Sequence, residues 1–220
     1  ELGNLTQLRS LYLSSNELSG SIPAELGNLT SLFSLALYSN QLSGSIPAEL
    51  GNLTQFRYLS LPHNQLSGSI PAELGNLTSI DTLNLGYNNL TGTVPESFTN
   101  LVNLCTPTAD ECYGFYGLDL SYNLLNIGGL SQALLDFLAI KDPDWADTQF
   151  APFTTCAEVS SIPLAECNAL VDLYNATNGA GWGDHSYWLE TNQPTMWYGL
   201  TITDGHITRI NLRENNLSGS

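Results

Sequence analysis

The chain has 220 residues and carries 5 Lys and Arg against 21 Asp and Glu, a formal net charge of −16. Nucleic-acid binders gain much of their affinity by neutralising phosphates with clustered cations, so this charge argues strongly against nucleic-acid partners and disfavours anionic membrane surfaces. An apolar fraction of 42% suffices for one or two domains with a substantial core. No apolar run approaches the roughly 20 residues that span a bilayer.

A 24-residue repeat organises the first part of the chain. The string Gly-Asn-Leu-Thr begins at Gly3, Gly27, Gly51 and Gly75. Each repeat follows the pattern G-N-L-T-x-L-x-x-L-x-L-x-x-N-x-L-S-G-S-I-P-A-E-L, which the fourth copy relaxes. A fixed period of this length is typical of solenoids, in which each unit buries its apolar face against the next. Residues 1–98 are therefore predicted to form four contiguous repeats.

The pattern resembles the extracellular leucine-rich repeat, in the plant-type subclass marked by L-S-G-x-I-P. The resemblance implies a leucine-rich repeat solenoid of the α/β repeat class. Such a solenoid has a short parallel β-sheet on its concave face, an irregular convex side made of turns, and caps that carry disulfides.

Within each repeat the apolar pattern predicts one short strand. Leu11 and Leu13 alternate with exposed positions, as in a strand with one buried face, and this spacing returns in later repeats. An Asn follows each strand, where its amide can satisfy backbone groups left open as the chain turns inward. We predict a structural ladder of these side chains, made of Asn16, Asn40, Asn64, Asn88, Asn123 and Asn215.

The repeat period fails after Phe98, and residues 99–150 are predicted to hold a fifth repeat and a C-terminal cap. Ser131 precedes apolar residues at helical spacing, and Pro143 prevents the helix from continuing. The tail that follows is similar to segments that close bacterial-type surface leucine-rich repeat arrays. Its Asp residues lack the spacing of an EF-hand, so we expect no bound metal.

The remaining residues are predicted to form a linker at 151–162, an N-terminal cap at 163–205 and the first repeat of a following array at 206–220. A cap helix is expected to start at Pro163 and to end at Asn178–Gly179. Three tryptophans match this cap family, and we expect them to shield the first coil; they are Trp182, Trp188 and Trp197. Residues 207–215 are expected to form a new strand.

The caps stand in inverted order, with the C-terminal cap before the N-terminal one. If the repeat pattern is continued after Ser220, only an Ile-Pro-Ala triplet is missing before a Glu-Leu pair like the one at Glu1. This continuity suggests either an excerpt from a tandem polyprotein or a subunit that stacks head to tail on copies of itself, because a heterologous contact that does not close a ring propagates as a filament. The alternative is that the sequence is a segment of an ordinary receptor, cut at an arbitrary point.

The cysteines fall into two local pairs, Cys105 with Cys112 and Cys156 with Cys167. Disulfides fit this distribution, although four cysteines allow three connectivities. Zinc is the rival, but the spacings are not paired C-x-x-C and no His stands close enough to complete an obvious site. Disulfides imply an extracellular or cell-surface location.

Asn-x-Ser/Thr sequons mark candidate glycosylation sites at Asn4, Asn28, Asn52, Asn76, Asn89, Asn175 and Asn216. The first four recur at one place in successive repeats, so attached sugars would form a row. The same residues are also the consensus of the repeat, so the motif alone does not show occupancy.

No motif nominates an active site. The chain lacks a nucleophile elbow, a phosphate-binding loop and a dinucleotide fingerprint, and its three His lie on different elements. We therefore expect no enzyme activity and no cofactor.

Binding would instead use the exposed strand positions, which form columns across successive repeats. Tyrosine can stack on a sugar or pack against a protein while its hydroxyl still forms a hydrogen bond. The candidate concave binding face comprises Tyr12, Tyr38, Tyr58, His63, Tyr87, Tyr122, Arg209 and Arg213.

Two hypotheses of function follow. The near-identical repeats and the cap inversion favour a non-catalytic extracellular structural module, a repeating unit of a fibre or cell-surface filament built from copies of itself. The tyrosine-bearing face favours the alternative, a recognition module for a protein or a cell-wall glycan.

Overall fold

The computed structural model describes residues 2–106, 117–149, 155–185, 187–189 and 191–219. The chain divides into two compact units, Glu1–Gln149 and Phe150–Ser220. The strands are β1 (Ser10–Tyr12), β2 (Ser19–Gly20), β3 (Ser34–Ala36), β4 (Gln41–Gly44), β5 (Tyr58–Ser60), β6 (Gln65–Ser69), β7 (Thr82–Asn84), β8 (Asn89–Gly92), β9 (Leu118–Asp119), β10 (Leu124–Leu125), β11 (Leu200–Thr203) and β12 (His206–Ile210). The α-helices are α1 (Gln132–Lys141) and α2 (Leu164–Ala176).

The first unit is a solenoid in which each coil adds one strand to each of two parallel sheets. The first sheet has the order β1-β3-β5-β7-β9, and the second has the order β10-β8-β6-β4-β2. The 24-residue period sets the register of the first sheet, since Leu11 pairs with Leu35 and Leu35 pairs with Leu59. Short 3₁₀ helices complete the coils at Leu2–Asn4, Ala24–Asn28, Ala48–Asn52, Ala72–Asn76 and Glu96–Asn100.

The second sheet and the 3₁₀ helices correct the expectation of an irregular convex side. The Leu-Ser-Gly segment is extended, and its Gly turns out of the strand with a positive φ, which is +76° at Gly44. Pro47 then precedes the 3₁₀ helix with an extended backbone. Consecutive coils place these extended segments side by side, so their backbones pair across coils as those of the concave strands do.

The core of this unit is a stack of leucine layers. In the third coil the side chains of Leu53, Phe56, Leu59 and Leu61 are fully buried. Gly51 marks a point of close approach, because a Cβ at this residue would lie 2.3 Å from the carbonyl oxygen of Glu73 in the next coil. The Gly of Gly-Asn-Leu-Thr is therefore required by packing between coils.

The predicted Asn side chains hydrogen-bond to the backbones of two coils. Asn88 is fully buried, its Oδ1 accepts from the N–H of Leu66, and its Nδ2 donates to the carbonyls of Leu61 and Leu85. Asn40, Asn64 and Asn123 repeat this pattern. Asn16 is exposed and bonds only within its own coil, to the carbonyls of Leu13 and Ser14.

Helix α1 closes the last leucine layer. Ser131 caps it, since its Oγ accepts a hydrogen bond from the N–H of Leu134, while Leu134 and Leu138 are fully buried. The tail after the helix supplies hydrogen-bond groups to the fifth coil. Asp142 Oδ2 accepts from the N–H of Leu120 at 2.7 Å, and the Gln149 amide bonds to Leu125 and Leu120.

The second unit packs around α2 and three buried indoles. Trp182, Trp188 and Trp197 lie in one core with Cys167 and Leu170. The indole N–H groups donate to backbone carbonyls, for example from Trp197 to Thr191 at 2.9 Å. The Asn215 amide bonds to both backbone groups of Asp184, so it fixes a cap loop instead of bridging two coils.

Two expectations for this unit are corrected. Residues 151–162 were expected to be a linker, but Cys156, Val159 and Ile162 are buried in the core, and a disulfide joins Cys156 to Cys167. Their apolar side chains gain more from this core than from solvent, so 155–162 belongs to the second unit. Residues 151–154 lie outside the described residues.

The second correction concerns the last strand. The expected strand at 207–215 ends at Ile210 as β12, and it pairs antiparallel with β11. The reversal follows from the tight turn at Asp204 and Gly205, both of which have positive φ. The sequence signal for this turn is the Asp-Gly pair, which is typical of two-residue hairpin turns.

Candidate binding face

The register of the first sheet aligns the side chains of its concave face in columns across the coils. One column, here called the floor column, runs through Tyr12, Ala36, Ser60, Asn84 and Asp119. A second, the edge column, runs along the strand ends through Ser15, Ser39, His63, Tyr87 and Tyr122. Within the first unit, these columns follow the 24-residue period of the repeats.

A depression of about 610 Å³ lies at the N-terminal end of this face. Its lining comprises Tyr12, Ser14, Phe33, Ser34, Ala36, Tyr38 and Tyr58. Tyr12 is 65% exposed and Phe33 is 50% exposed, so large rings here remain open to solvent. Side-chain hydrogen bonds with Ser34 and Ser10 lower the pKa of Tyr12.

The rings of the edge column form a stack. His63 and Tyr87 have ring centroids 4.2 Å apart, and the same distance separates Tyr87 from Tyr122. Each edge-column residue has a positive φ, between 51° and 56°, and each is followed by an Asn of the ladder. The ladder hydrogen bonds thus hold the backbone in a conformation that costs non-glycine residues energy.

Asp119 is the acidic residue of the floor column. Its Oδ1 accepts hydrogen bonds from the backbone N–H and the hydroxyl of Ser121. The carboxylate leans over Gly86, where a Cβ would lie 2.8 Å from Oδ1. Gly86 therefore leaves the space that the carboxylate occupies.

The electrostatics of the stack follow from burial and from Asp119. Burial raises the pKa of Tyr87 to about 12, with further contributions from the Tyr122 hydroxyl and from the Asp119 charge. Burial lowers the pKa of His63, and Asp119 acts in the opposite direction. The Tyr87 hydroxyl is thus neutral at pH 7, and burial favours the neutral imidazole of His63.

Six of the eight candidate face residues lie in the first unit. Arg209 lies in β12 of the second unit, where it pairs with Thr201, and Arg213 follows in the same unit. Phe33 also lines the depression but is not among the residues predicted from the sequence. Its signal is an aromatic residue at a repeat position where the other three copies carry Arg9, Arg57 and Asp81.

The other candidate sites are distributed as follows. Asn4, Asn28, Asn52 and Asn76 are exposed at the ends of their 3₁₀ helices; Asn175 and Asn216 are exposed, while Asn89 is half-buried in β8. Cys112 lies outside the described residues, so its pairing with Cys105 stays a prediction. Within the described ranges, no group of three or more His, Cys, Asp or Glu is placed to hold a metal ion. No helix among them is long and apolar enough to cross a membrane.

Comparison with known proteins assigns the class of fold. The family models described as leucine rich repeat match residues 6–66 and residues 79–101. The first unit is a leucine-rich repeat solenoid, with the parallel strands of plant ectodomain structures. No curated protein sequence matches the chain.

Several solved plant structures resemble this chain. The crystal structure of PEPR1–AtPEP1 shares 38% identity over 58% of this chain and 16% of that chain, with a TM-score of 0.51. The ectodomain of the Arabidopsis thaliana receptor kinase GASSHO1/SCHENGEN3, in complex with CASPARIAN STRIP INTEGRITY FACTOR 2, shares 37% over 61% and 15%, with a TM-score of 0.52. The Arabidopsis HAESA ectodomain, in complex with an N-terminally extended IDA peptide hormone, shares 38% over 62% and 21%, with a TM-score of 0.52. The chain thus spans about a fifth or less of each of these proteins.

Proposed function

We propose that this chain is an extracellular, non-catalytic recognition module that binds an extended segment of a protein partner on its concave face. The observation that carries this proposal is the depression lined by Tyr12, Phe33, Tyr38 and Tyr58. Exposed rings in a concave site are typical anchors for a partner, because they bury a large area and lose little side-chain entropy.

Two further observations support the proposal. The structures that resemble the chain include one plant receptor ectodomain solved with a peptide hormone and another solved with CASPARIAN STRIP INTEGRITY FACTOR 2. The disulfide between Cys156 and Cys167 fits an oxidising compartment, which supports an extracellular location.

The test is selection of binding peptides from a displayed random library, followed by affinity measurement with synthetic copies. We expect the double variant Tyr38→Ala/Tyr58→Ala to weaken binding at least about tenfold, since each lost ring costs on the order of 1 kcal/mol or more. Tyr198→Ala is the matched control, because Tyr198 is a 37% exposed tyrosine of the second unit. Circular dichroism checks folding.

Equal binding by the double variant and the control would contradict the proposal. Selective binding of soluble cell-wall oligosaccharides, lost in the double variant, would instead identify the ligand as a glycan.

Self-association is a second candidate. Leu2, Leu5 and Leu18 are 45%, 51% and 38% exposed and form an apolar edge, on which a copy of this chain could stack as the coils stack on one another. If copies assemble through this edge, the sedimentation coefficient should rise with concentration, and Leu5→Ser/Leu18→Ser should abolish the rise. A concentration-independent monomer would exclude this role.

A further inference from the structure

The two ends of the binding face differ in chemistry. The depression at the N-terminal end is lined by aromatic and small neutral side chains. Asp119 stands at the C-terminal end of the same floor column. A ligand that lies along this column therefore meets apolar surface first and a negative charge afterwards.

The Asp119 charge is not neutralised within the first unit. The cations of this unit are Arg9, Arg57 and Lys141. Arg57 pairs with Asp81 at 2.8 Å, and Lys141 Nζ donates to the carbonyls of Val102 and Leu104. No ion pair to Asp119 occurs among the described residues.

The carboxylate is also held in place for a ligand. The bonds from Ser121 engage Oδ1, and among the described residues no hydrogen bond engages Oδ2. The residue is half-buried, so a bound cation would be partly shielded from water and would gain more than it does at an open surface. The carboxylate lies over Gly86, the residue before Tyr87, and its charge acts on the pKa of both His63 and Tyr87.

The distance along the floor column fits an extended chain. From Ala36 in the depression to Asp119 there are three steps between neighbouring strands. At about 4.8 Å per step the span is roughly 14 Å, which an extended peptide covers in about four residues. Side chains four residues apart lie on the same face of an extended chain.

The middle of the column leaves room for a backbone. Ala36 and Ser60 are buried and small, and Asn84 is half-buried. Tyr58 stands in the column on one side, and His63 and Tyr87 stand in the edge column on the other. The floor column thus runs between Tyr58 and the rings of the edge column, with Pro62 and Gly86 between it and those rings.

On the basis of the proposed function, we propose that the ligand segment carries two anchors four residues apart on one extended strand: an aromatic or large aliphatic side chain that fills the depression, and an Arg or Lys that pairs with Asp119. The acidic balance of the whole chain, −16, favours approach of such a cationic segment.

The first test uses defined nine-residue peptides, such as Gly-Ser-Phe-Ser-Gly-Ser-Arg-Gly-Ser, titrated into ¹⁵N-labelled protein. We expect replacement of the Arg by Gln to weaken binding about tenfold, because the peptide then loses its charge-assisted hydrogen bond to Asp119. Peptides with two or four intervening residues should bind as weakly as the Gln peptide.

The second test changes the protein. Asp119→Asn keeps an oxygen for the Ser121 hydrogen bonds but removes the charge, so the Arg and Gln peptides should bind equally. Asp119→Lys should reverse the preference toward a peptide with Glu at the same position. Asp136→Asn, which removes an equal charge from α1, is the matched control and should leave the preference for Arg intact.

Each outcome bears on a different claim. Suppose that peptide binding needs Tyr38 and Tyr58 but shows no preference for Arg at the fourth residue after the aromatic anchor. The two-anchor proposal is then overturned, while the recognition role stands. If no peptide needs these tyrosines, the recognition role itself fails.

Discussion

At the scale of single residues, the ladder asparagines show how one side chain supports several backbone groups. Asn88 bonds to Leu61, Leu66, Leu85 and Gly86, all through backbone atoms. A buried backbone group that loses its partner costs about 1–3 kcal/mol, and here several would lose it together.

Asn88→Ala should therefore lower the free energy of unfolding by about 3 kcal/mol or more, measured by urea denaturation. Asn16→Ala is the matched control and should cost less than about 1 kcal/mol, because Asn16 is exposed and water can replace its bonds. Equal losses for the two variants would contradict the ladder as the cause.

The repeat spacing alone predicts the positions of these asparagines, because each follows the strand of its repeat at the same distance. Asp142 and Gln149 perform a comparable task for the fifth coil but lie beyond the last full period, so no neighbouring copy identified them. Asp119 was assigned to its column by spacing, but its position over Gly86 depends on a side-chain conformation that a repeat pattern does not contain.

Asp142 also makes stability depend on pH. Burial raises its pKa from 3.8 to about 7, so the folded chain retains this proton where the unfolded chain has lost it. Its contribution is fully present below pH 4 and is lost as the pH rises through 7, up to about 4 kcal/mol. Asp142→Asn should unfold at the same urea concentration as the parent near pH 4 and at a higher one at pH 8. If the urea midpoints of the two proteins changed with pH in the same way, the carboxyl of Asp142 would not titrate in this range.

At the scale of elements, the concave strands were predictable and the convex ones were not. Leucine alternation indicates a strand with one buried face, but β2, β4 and β6 are extended because neighbouring coils align them. The antiparallel partner β11 likewise depends on a turn, and it carries no repeat signal. Short strands of this kind are defined by tertiary contact more than by local preference.

The 3₁₀ helices yield a sharp packing prediction. Gly51→Ala would place a methyl group against the backbone of Glu73, which has little freedom to move, and should cost roughly 1–3 kcal/mol or more. Gly128→Ala is the control, because the nearest atom to its added Cβ, in the Asn126 side chain, is 3.5 Å away. Thermal unfolding of both variants distinguishes the two sites; an equally mild effect at Gly51 would mean that the coils can separate.

At the scale of the whole molecule, the dominant property is the charge of −16. Only 12% of residues are charged, yet acidic ones outnumber basic ones about fourfold. Repulsion among the carboxylates therefore destabilises the folded chain. Salt shortens the range of this repulsion from about 30 Å at 0.01 M to about 8 Å at 0.15 M.

Raising NaCl over this range should therefore increase the thermal unfolding midpoint, as followed by circular dichroism. The double variant Asp136→Asn/Asp144→Asn carries a smaller negative charge and should respond less. A midpoint that falls with salt would indicate that the favourable ion pairs outweigh the repulsion.

The distribution of aromatic residues has an optical consequence. Three of the four tryptophans lie in the core of the second unit, whereas Trp145 is in the first, which instead carries the stacked tyrosines Tyr87 and Tyr122. Replacing Trp145 with Phe would leave indole emission as a signal of the second unit alone. Coupled tyrosine rings would meanwhile give the solenoid its own near-ultraviolet dichroism, so one sample could report the melting of each unit at a separate wavelength.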